Sequence, residues 1–263
     1  MNIMKATMQR FVLLSAFLSC LFLFFGCGLD EYYVLDAPLT AMNTSSVTSA
    51  NYESQTLYES AYFQFKTNED RGNKVYTEAD SAFKFLGTAV YYKIYSDYSK
   101  MNSEISSLSS LNSSTNESAA ASRMIETYNY KQLACKNSSV TPLVSGTGTN
   151  KVVKIRLSNY QEKNSSEFSA KIYIDEIEVD VPVRNVDRKT TFDFGRSNED
   201  GYSDNEIPQD GDSDVTYGTV SKDGMWYVSL YAVAVGRDTT YSTYYSGVLH
   251  LGAVAIDSNN KDN

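Results

Sequence analysis

The chain has 263 residues, 32 acidic against 23 basic side chains, a formal net charge of −9, one histidine and three cysteines. This acidic balance argues against non-specific DNA or RNA binding, because phosphates are repelled, and against docking on anionic lipid by charge. A lone histidine excludes histidine-rich metal sites and paired-histidine mechanisms, while the length suffices to bury a core as one or two domains.

Lys5 and Arg10 form a short positive region ahead of Phe11 to Phe25, a run that is apolar except for Ser15, Ser19 and Cys20. A spanning helix needs about 20 apolar residues, so residues 1–26 read as a secretory signal peptide. The run closes on Leu23-Phe24-Phe25-Gly26-Cys27, and Asp30 and Glu31 follow at once. This ending resembles a bacterial lipobox, in which lipid joins the cysteine sulfur and cleavage makes that cysteine the first residue. Phe24 and Phe25 depart from the aliphatic-then-small pattern, a departure similar to the relaxed boxes of spirochaete lipoproteins. The resemblance implies lipidation at Cys27 and a membrane-held place in the cell envelope, on the surface or the periplasmic face. Each buried methylene then contributes about 0.8 kcal/mol, and more than one acyl chain makes attachment stable. Two alternatives stay open: Phe17-Leu18-Ser19-Cys20 as the box, or a plain signal with a structural Cys27. Once the signal is removed, Cys135 is the only cysteine besides the anchor, so no internal disulfide can form. Cys135 reads as a small buried apolar residue rather than a nucleophile, since no partner histidine accompanies it.

Beyond the anchor, "DEYYVLDAP" is aromatic and β-branched and predicts an edge strand ending at Pro38. Residues 39–51, rich in Ser, Thr and Asn, read as a tether, so residues 27–51 form anchor and tether and residues 52–257 the folded domain. Residues 258–263 read as a disordered tail. "AYFQF" and "FKFLGTAVYYKIY" predict strands. Residues 96–128 place Met101, Ile105, Leu108, Met124, Ile125 and Tyr128 at helical spacings, broken at Asn112 to Thr115. That pattern predicts two short helices across one end of the sheets, the second capped by Thr115 or Asn116. "SGTGTNK" lacks the spacing of a phosphate-binding loop, and its Gly146 and Gly148 suit a turn. "VVKIRL", "KIYI" and "IEVDVPV" alternate with a period of two, which places Ile177, Val179, Val181 and Val183 inward and Glu178 and Asp180 outward. Pro182 suggests an edge. "MWYVSLYAVAVG" and "GVLHLGAVAI" are apolar on both faces, as strands central to a packed sheet are. Asp238 to Ser246 would join them as a long hairpin loop.

The blocks "FKFLGTAVYYKIY" and "WYVSLYAVAVGRD…YYSGVLHLGAVAI" resemble those of spirochaete (treponemal-type) lipoproteins, and also the strands of fibronectin-type or immunoglobulin-like sandwiches. With the lipobox they span about a third of the chain. The fold this implies is mainly β: an antiparallel β-sandwich (Ig/fibronectin III-like) with a short helical insertion. No Cys-Trp-Cys spacing of the antibody kind accompanies it.

Residues that could carry chemistry are few. No Gly-x-Ser-x-Gly occurs, and His250, set in an apolar strand, reads as structural. Asp210, Asp212 and Asp214 alternate as the first ligands of a calcium loop would, but position six is Val215 and no glutamate closes the loop. The sequence therefore names no catalytic residue, no cofactor and no metal ligand set. The chain carries 21 tyrosines, and tyrosine supplies rigid contact area with a polar tip. Tyr241, Tyr244 and Tyr245 fall in the expected 238–246 loop, where they serve either as a binding surface or as a cover for the sheet edge. The expected function is a lipid-anchored binding module with a protein or host-matrix partner; the alternatives are a periplasm-facing structural or assembly lipoprotein and, third, a hydrolase.

Overall fold

Three long strands dominate: β3 (Phe83–Tyr95), β12 (Met225–Asp238) and β13 (Thr243–Asp257), and the other strands among the described residues are five residues or shorter. The computed structural model describes residues 33–41, 62–70, 72–77, 82–112, 116, 118–139, 141–157, 170–186, 191–192, 194, 207–218 and 224–258. Val34 onward forms one compact unit. The signal peptide, Cys20 and Cys27 lie outside the described residues, as does the expected tail apart from Ser258.

The remaining elements in chain order are β1 (Leu39–Thr40), β2 (Phe63–Lys66), α1 (Gly72–Val75), α2 (Tyr98–Asn112) and α3 (Ala119–Ser122). The last runs into a π-helical turn, Arg123–Thr127. Then follow β4 (Lys131–Gln132), β5 (Ala134–Cys135), β6 (Val144–Ser145), β7 (Val152–Arg156), β8 (Lys171–Ile174), β9 (Ile177–Asp180), β10 (Pro182–Val183) and β11 (Val215–Thr216).

The central sheet has the order β11-β3-β12-β13, with β4 and β6 also on β3, and only the β11–β3 pairing is parallel. A second sheet, β1-β2-β7-β8-β9, is antiparallel throughout. The two pack face to face: Phe63, Phe65, Val153, Ile155 and Ile172 meet Val90, Tyr92, Ile94, Val228, Leu230 and Leu251. The alternate residues of the central strands, Ala89, Tyr91, Tyr95, Tyr231 and Val233, meet Met101, Leu108, Ala120, Ala121 and Met124 of the helices. This double cover is why the long strands are apolar on both faces. The protein is thus mainly β, with two packed sheets and a helical layer.

Gly87 shows how the long strand accommodates its neighbour. Its φ of 138° and the close approach of the Val144 carbonyl leave no room for a Cβ, and the β3–β12 register shifts between Val235 and Gly236. Glycine permits such a bulge without strain.

Several expectations need correction. The helices lie over the face of the central sheet rather than across one end, because Met101 and Leu108 have the outer aromatic stripe to bury against. The N-cap of α3 is Ser118, not Asn116; the Asn116 carbonyl accepts from the Ala119 N–H, and Thr115 lies outside the described residues. The domain begins before residue 52: Leu35 is buried, and Leu39–Thr40, expected in the tether, pairs with β2 directly after Pro38. Ile177 and Val179 are 67% and 47% exposed, while Asp180 is buried. A bulge between Ile172 and Tyr173 sets Asp180 opposite the buried Ile172, which reverses Val179 and Asp180, whereas Ile177 stays opposite Ile174 and is exposed beside the hairpin turn. The residues after Val181 join a separate two-stranded pair, β10 with β5.

Candidate functional site

The acidic loop resolves first. Asp214 is fully buried, and Arg184 Nε and Nη2 donate to its two carboxylate oxygens at 2.9 and 2.6 Å. Arg184 Nη2 also donates to Asp212 at 2.8 Å, and the Tyr92 hydroxyl donates to Asp214 at 2.7 Å. The Asn185 N–H closes the cluster on Tyr92. Burial would lower the Arg184 pKa, but the Asp214 and Asp212 carboxylates outweigh it and hold the guanidinium well above its ordinary value. Asp212 and Asp214 therefore face an arginine, and Asp210 stands apart, exposed. Sequence reasoning missed Arg184, because the alternation that places Val183 inward sets residue 184 outward, where a charge draws no notice.

On the opposite face, the Lys93 ammonium donates to Glu104 Oε2 at 3.0 Å, and the Tyr95 hydroxyl donates to the same oxygen at 2.8 Å. Tyr95, Tyr128 and Tyr130 surround the ammonium at 5.1 to 5.8 Å from their ring centres. Burial pulls the Lys93 pKa down, and Glu104 partly restores it. Burial likewise pushes Tyr95, Tyr130 and Tyr231 up, so none of these phenols ionises in the physiological range. The signal for this pair was a single charge inside "AVYYKIY".

The "SGTGTNK" turn does hold an anion, supplied by the chain itself. The Thr147 and Gly148 N–H groups donate to Glu69 Oε2 at 2.6 and 2.9 Å, and Glu69 is fully buried. Gly148, at φ 76°, permits that geometry. The turn assignment of Gly148 holds.

His250 lies with its ring 4.6 Å from that of Tyr231, and its Nε2 shares a 3.2 Å hydrogen bond with the Ser229 hydroxyl. The residue is exposed, yet the burial its ring does have pushes its pKa down. Cys135 is half-buried, and burial, then the nearby Asp180 carboxylate, pushes its thiol up to about 11. That thiol is poorly ionised and unsuited to nucleophilic attack.

The three tyrosines separate. The expected 238–246 loop is only a tight turn, because the strands run on to Asp238 and from Thr243. Tyr244 lies in β13, stacks edge-on to Phe83 at 5.3 Å and donates to Asp238. Tyr245 is half-buried against the outer core, and Tyr241 alone stays open, 79% exposed.

The β8–β9 hairpin is a further open surface among the described residues. Its two-residue turn, Asp175-Glu176, has positive φ at both positions, as a type I′ hairpin requires. Lys151, Lys154 and Lys171 pair with Asp175, Glu176 and Glu178. β9 ends the second sheet, and Ile177 and Val179 stand out of the core along it.

No group of three or more His, Cys, Asp or Glu side chains placed to hold a metal occurs among the described residues, nor does a helix long and apolar enough to cross a membrane. No protein-family model, curated protein or solved structure matches the chain.

Proposed function

We propose that the chain is a lipid-anchored protein of the bacterial cell envelope, held through Cys27, whose β domain is an interaction module that meets its partner along the β8–β9 hairpin. One observation carries the module reading: Ile177 and Val179 project from a terminal strand, 67% and 47% exposed, beside neutralised charge pairs. Rigid edges that offer aliphatic side chains and free strand backbone suit partner recognition by strand addition. The buried charges of Arg184, Lys93 and Glu69, by contrast, are engaged within the fold. The finer reading of the fold as an immunoglobulin/fibronectin III-like sandwich is supported by two largely antiparallel sheets over one core, and the helical layer is this chain's own addition.

The anchor is tested with labelled palmitate. Cys27→Ala should abolish labelling and release the protein from the detergent phase, and label lost only in Cys20→Ala overturns the assignment. Protease treatment of intact cells then decides between a surface-exposed and a periplasm-facing module. For the contact surface, a photo-crosslinking residue at position 177 should trap a discrete envelope or host-matrix protein. The same residue at position 75, where Val75 is 64% exposed on α1, should not. Equal products at both positions refute the hairpin.

A further inference from the structure

Burial of Leu35 shortens the link between the domain and the proposed anchor. Only eight residues lead back from this fixed side chain to Cys27. Fully extended, eight residues span at most about 29 Å. The 13 residues of β3, by comparison, extend about 40 Å from Phe83 to Tyr95. Whichever end of β3 lies beside Leu35 is therefore the end held near the bilayer.

Gly236 identifies that end. A Cβ there would meet both the Phe83 ring and Leu35 Cδ1, so the incoming chain lies at the start of β3. One residue on, Asp36 is tied to α1. Its N–H donates to Asn73 Oδ1, Asn73 Nδ2 donates to its carbonyl, and the Gly72 N–H donates to its carboxylate, each at 2.9 Å. Asp238 pairs with Phe83 in register, which brings the β12–β13 turn to the same place. Three elements thus converge around Phe83, and each carries an exposed apolar side chain: Val34 on the incoming chain, Val75 on α1 and Tyr241 on the turn. Next to Phe83 and Asp238, Lys84 and Arg237 stand directly opposite each other, and both are exposed. Like charges so placed repel in water. At a membrane interface, long basic side chains and tyrosine rings are favoured.

We propose that this end of the domain rests on the bilayer, with Val34, Val75 and Tyr241 in the headgroup layer and Lys84 and Arg237 against lipid phosphates. The inference rests on the reading of Cys27 as the anchor and adds an orientation to it. A lipid surface is the fitting occupant because the short link holds this end beside it. A contact made by a domain already tethered is intramolecular, so a few side chains suffice. Tyr217, exposed just past β11 at the Tyr95 end of β3, faces the aqueous side.

The test uses the full-length chain, purified from its own membranes and reconstituted in vesicles of phosphatidylcholine and phosphatidylglycerol. Bromine on the acyl chains of these lipids quenches tryptophan that enters the bilayer surface. The one native tryptophan, Trp226, is buried, so Val75→Trp, Tyr241→Trp and the control Tyr217→Trp each add a single surface probe. In vesicles recovered by flotation, the Val75→Trp and Tyr241→Trp chains should lose emission relative to unbrominated vesicles, and Tyr217→Trp should not. Equal loss in Tyr217→Trp, or no loss in Val75→Trp and Tyr241→Trp on floated vesicles, overturns the docking surface and leaves the anchor standing. Failure of the wild-type chain to float overturns the anchor, and this inference with it.

Discussion

Asp214→Asn is the most informative single change, because it keeps the shape of the side chain and removes its charge. In the wild type the buried guanidinium of Arg184 meets three carboxylate oxygens, two of them on Asp214. Removing one partner of a buried pair costs about 3–5 kcal/mol, since the other charge is left uncompensated. Asp212 remains at 2.8 Å and is the more exposed of the two acids, so the lower end applies, about 3 kcal/mol. For a domain of this size each kcal/mol moves the melting temperature about 2–4 °C, giving a loss of about 6–12 °C. Asp212→Asn should lose about half as much, about 1.5 kcal/mol. Asp210→Asn, on an exposed side chain, should stay within about 0.5 kcal/mol. Thermal melts with and without calcium read all three. A melting temperature for Asp214→Asn equal to that of Asp210→Asn refutes the ion-pair reading. A calcium-dependent rise in the wild type that Asp210→Asn abolishes would restore the calcium loop in its place.

Three further changes probe other layers. Glu104→Gln should destabilise by about 3 kcal/mol by stranding Lys93, and Lys93→Met in that background should recover part of the loss, a coupling visible in denaturant midpoints. Leu230→Ala, in the core between the sheets, should cost about 2–5 kcal/mol, whereas Ile177→Ala should cost under about 0.5 kcal/mol. At the β12–β13 turn, hydrogen bonds from the Thr240 hydroxyl, with those from the Ser242 and Thr240 N–H groups, lower the Asp238 pKa below its ordinary 3.8. A depressed carboxyl pKa means that the turn's hydrogen bonds are fully present above pH 3.8 and are lost as pH falls through the folded value. The amide shifts of Thr240 and Ser242 should therefore hold constant down to about pH 4 and move only below it; movement centred near pH 6 would contradict the assignment.

The fold was legible where side-chain period alone decides it. β3, β7 and β8 fall within the stretches marked as strands, β12 and β13 contain theirs but run past them to Asp238 and back to Thr243, and Met101 and Leu108 marked a helix. What period cannot carry is the identity of the covering layer. The apolar second face of β3 and β12 implied a cover but not that α2 and α3 supply it. Nor does period reveal a bulge: one extra residue opposite Tyr173 sends Asp180 inward and leaves Val179 out. The expected 238–246 loop failed for a related reason, since Thr and Tyr serve strands as readily as loops, and β13 begins at Thr243. Of the candidate site, the acidic residues were visible but their partner was not, because Arg184 and Asp214 are 30 residues apart in sequence.

The buried Arg184, Lys93 and Glu69 share one placement. Arg184 with Asp214 joins the residue after β10 to the stretch leading into β11, and the Tyr92 hydroxyl and Ile94 N–H tie Asp214 in turn to β3. Lys93 with Glu104 joins α2 to the other face of the same strand. Glu69 joins the end of β2 to the turn at Thr147 and Gly148. Each pair stands where a loop or a helix meets a sheet, and each is directional where the surrounding apolar contacts are not. Apolar burial drives the segments onto the sheet without fixing their position along it, whereas a buried guanidinium or ammonium tolerates only the register that brings its carboxylate within reach. Lys93 and Tyr92 are neighbours in β3 and point to opposite faces, so one strand sets the position of α2 on one side and of the acidic loop on the other. With those seams fixed from within, the exposed aliphatic side chains of β9 take no part in holding the layers together.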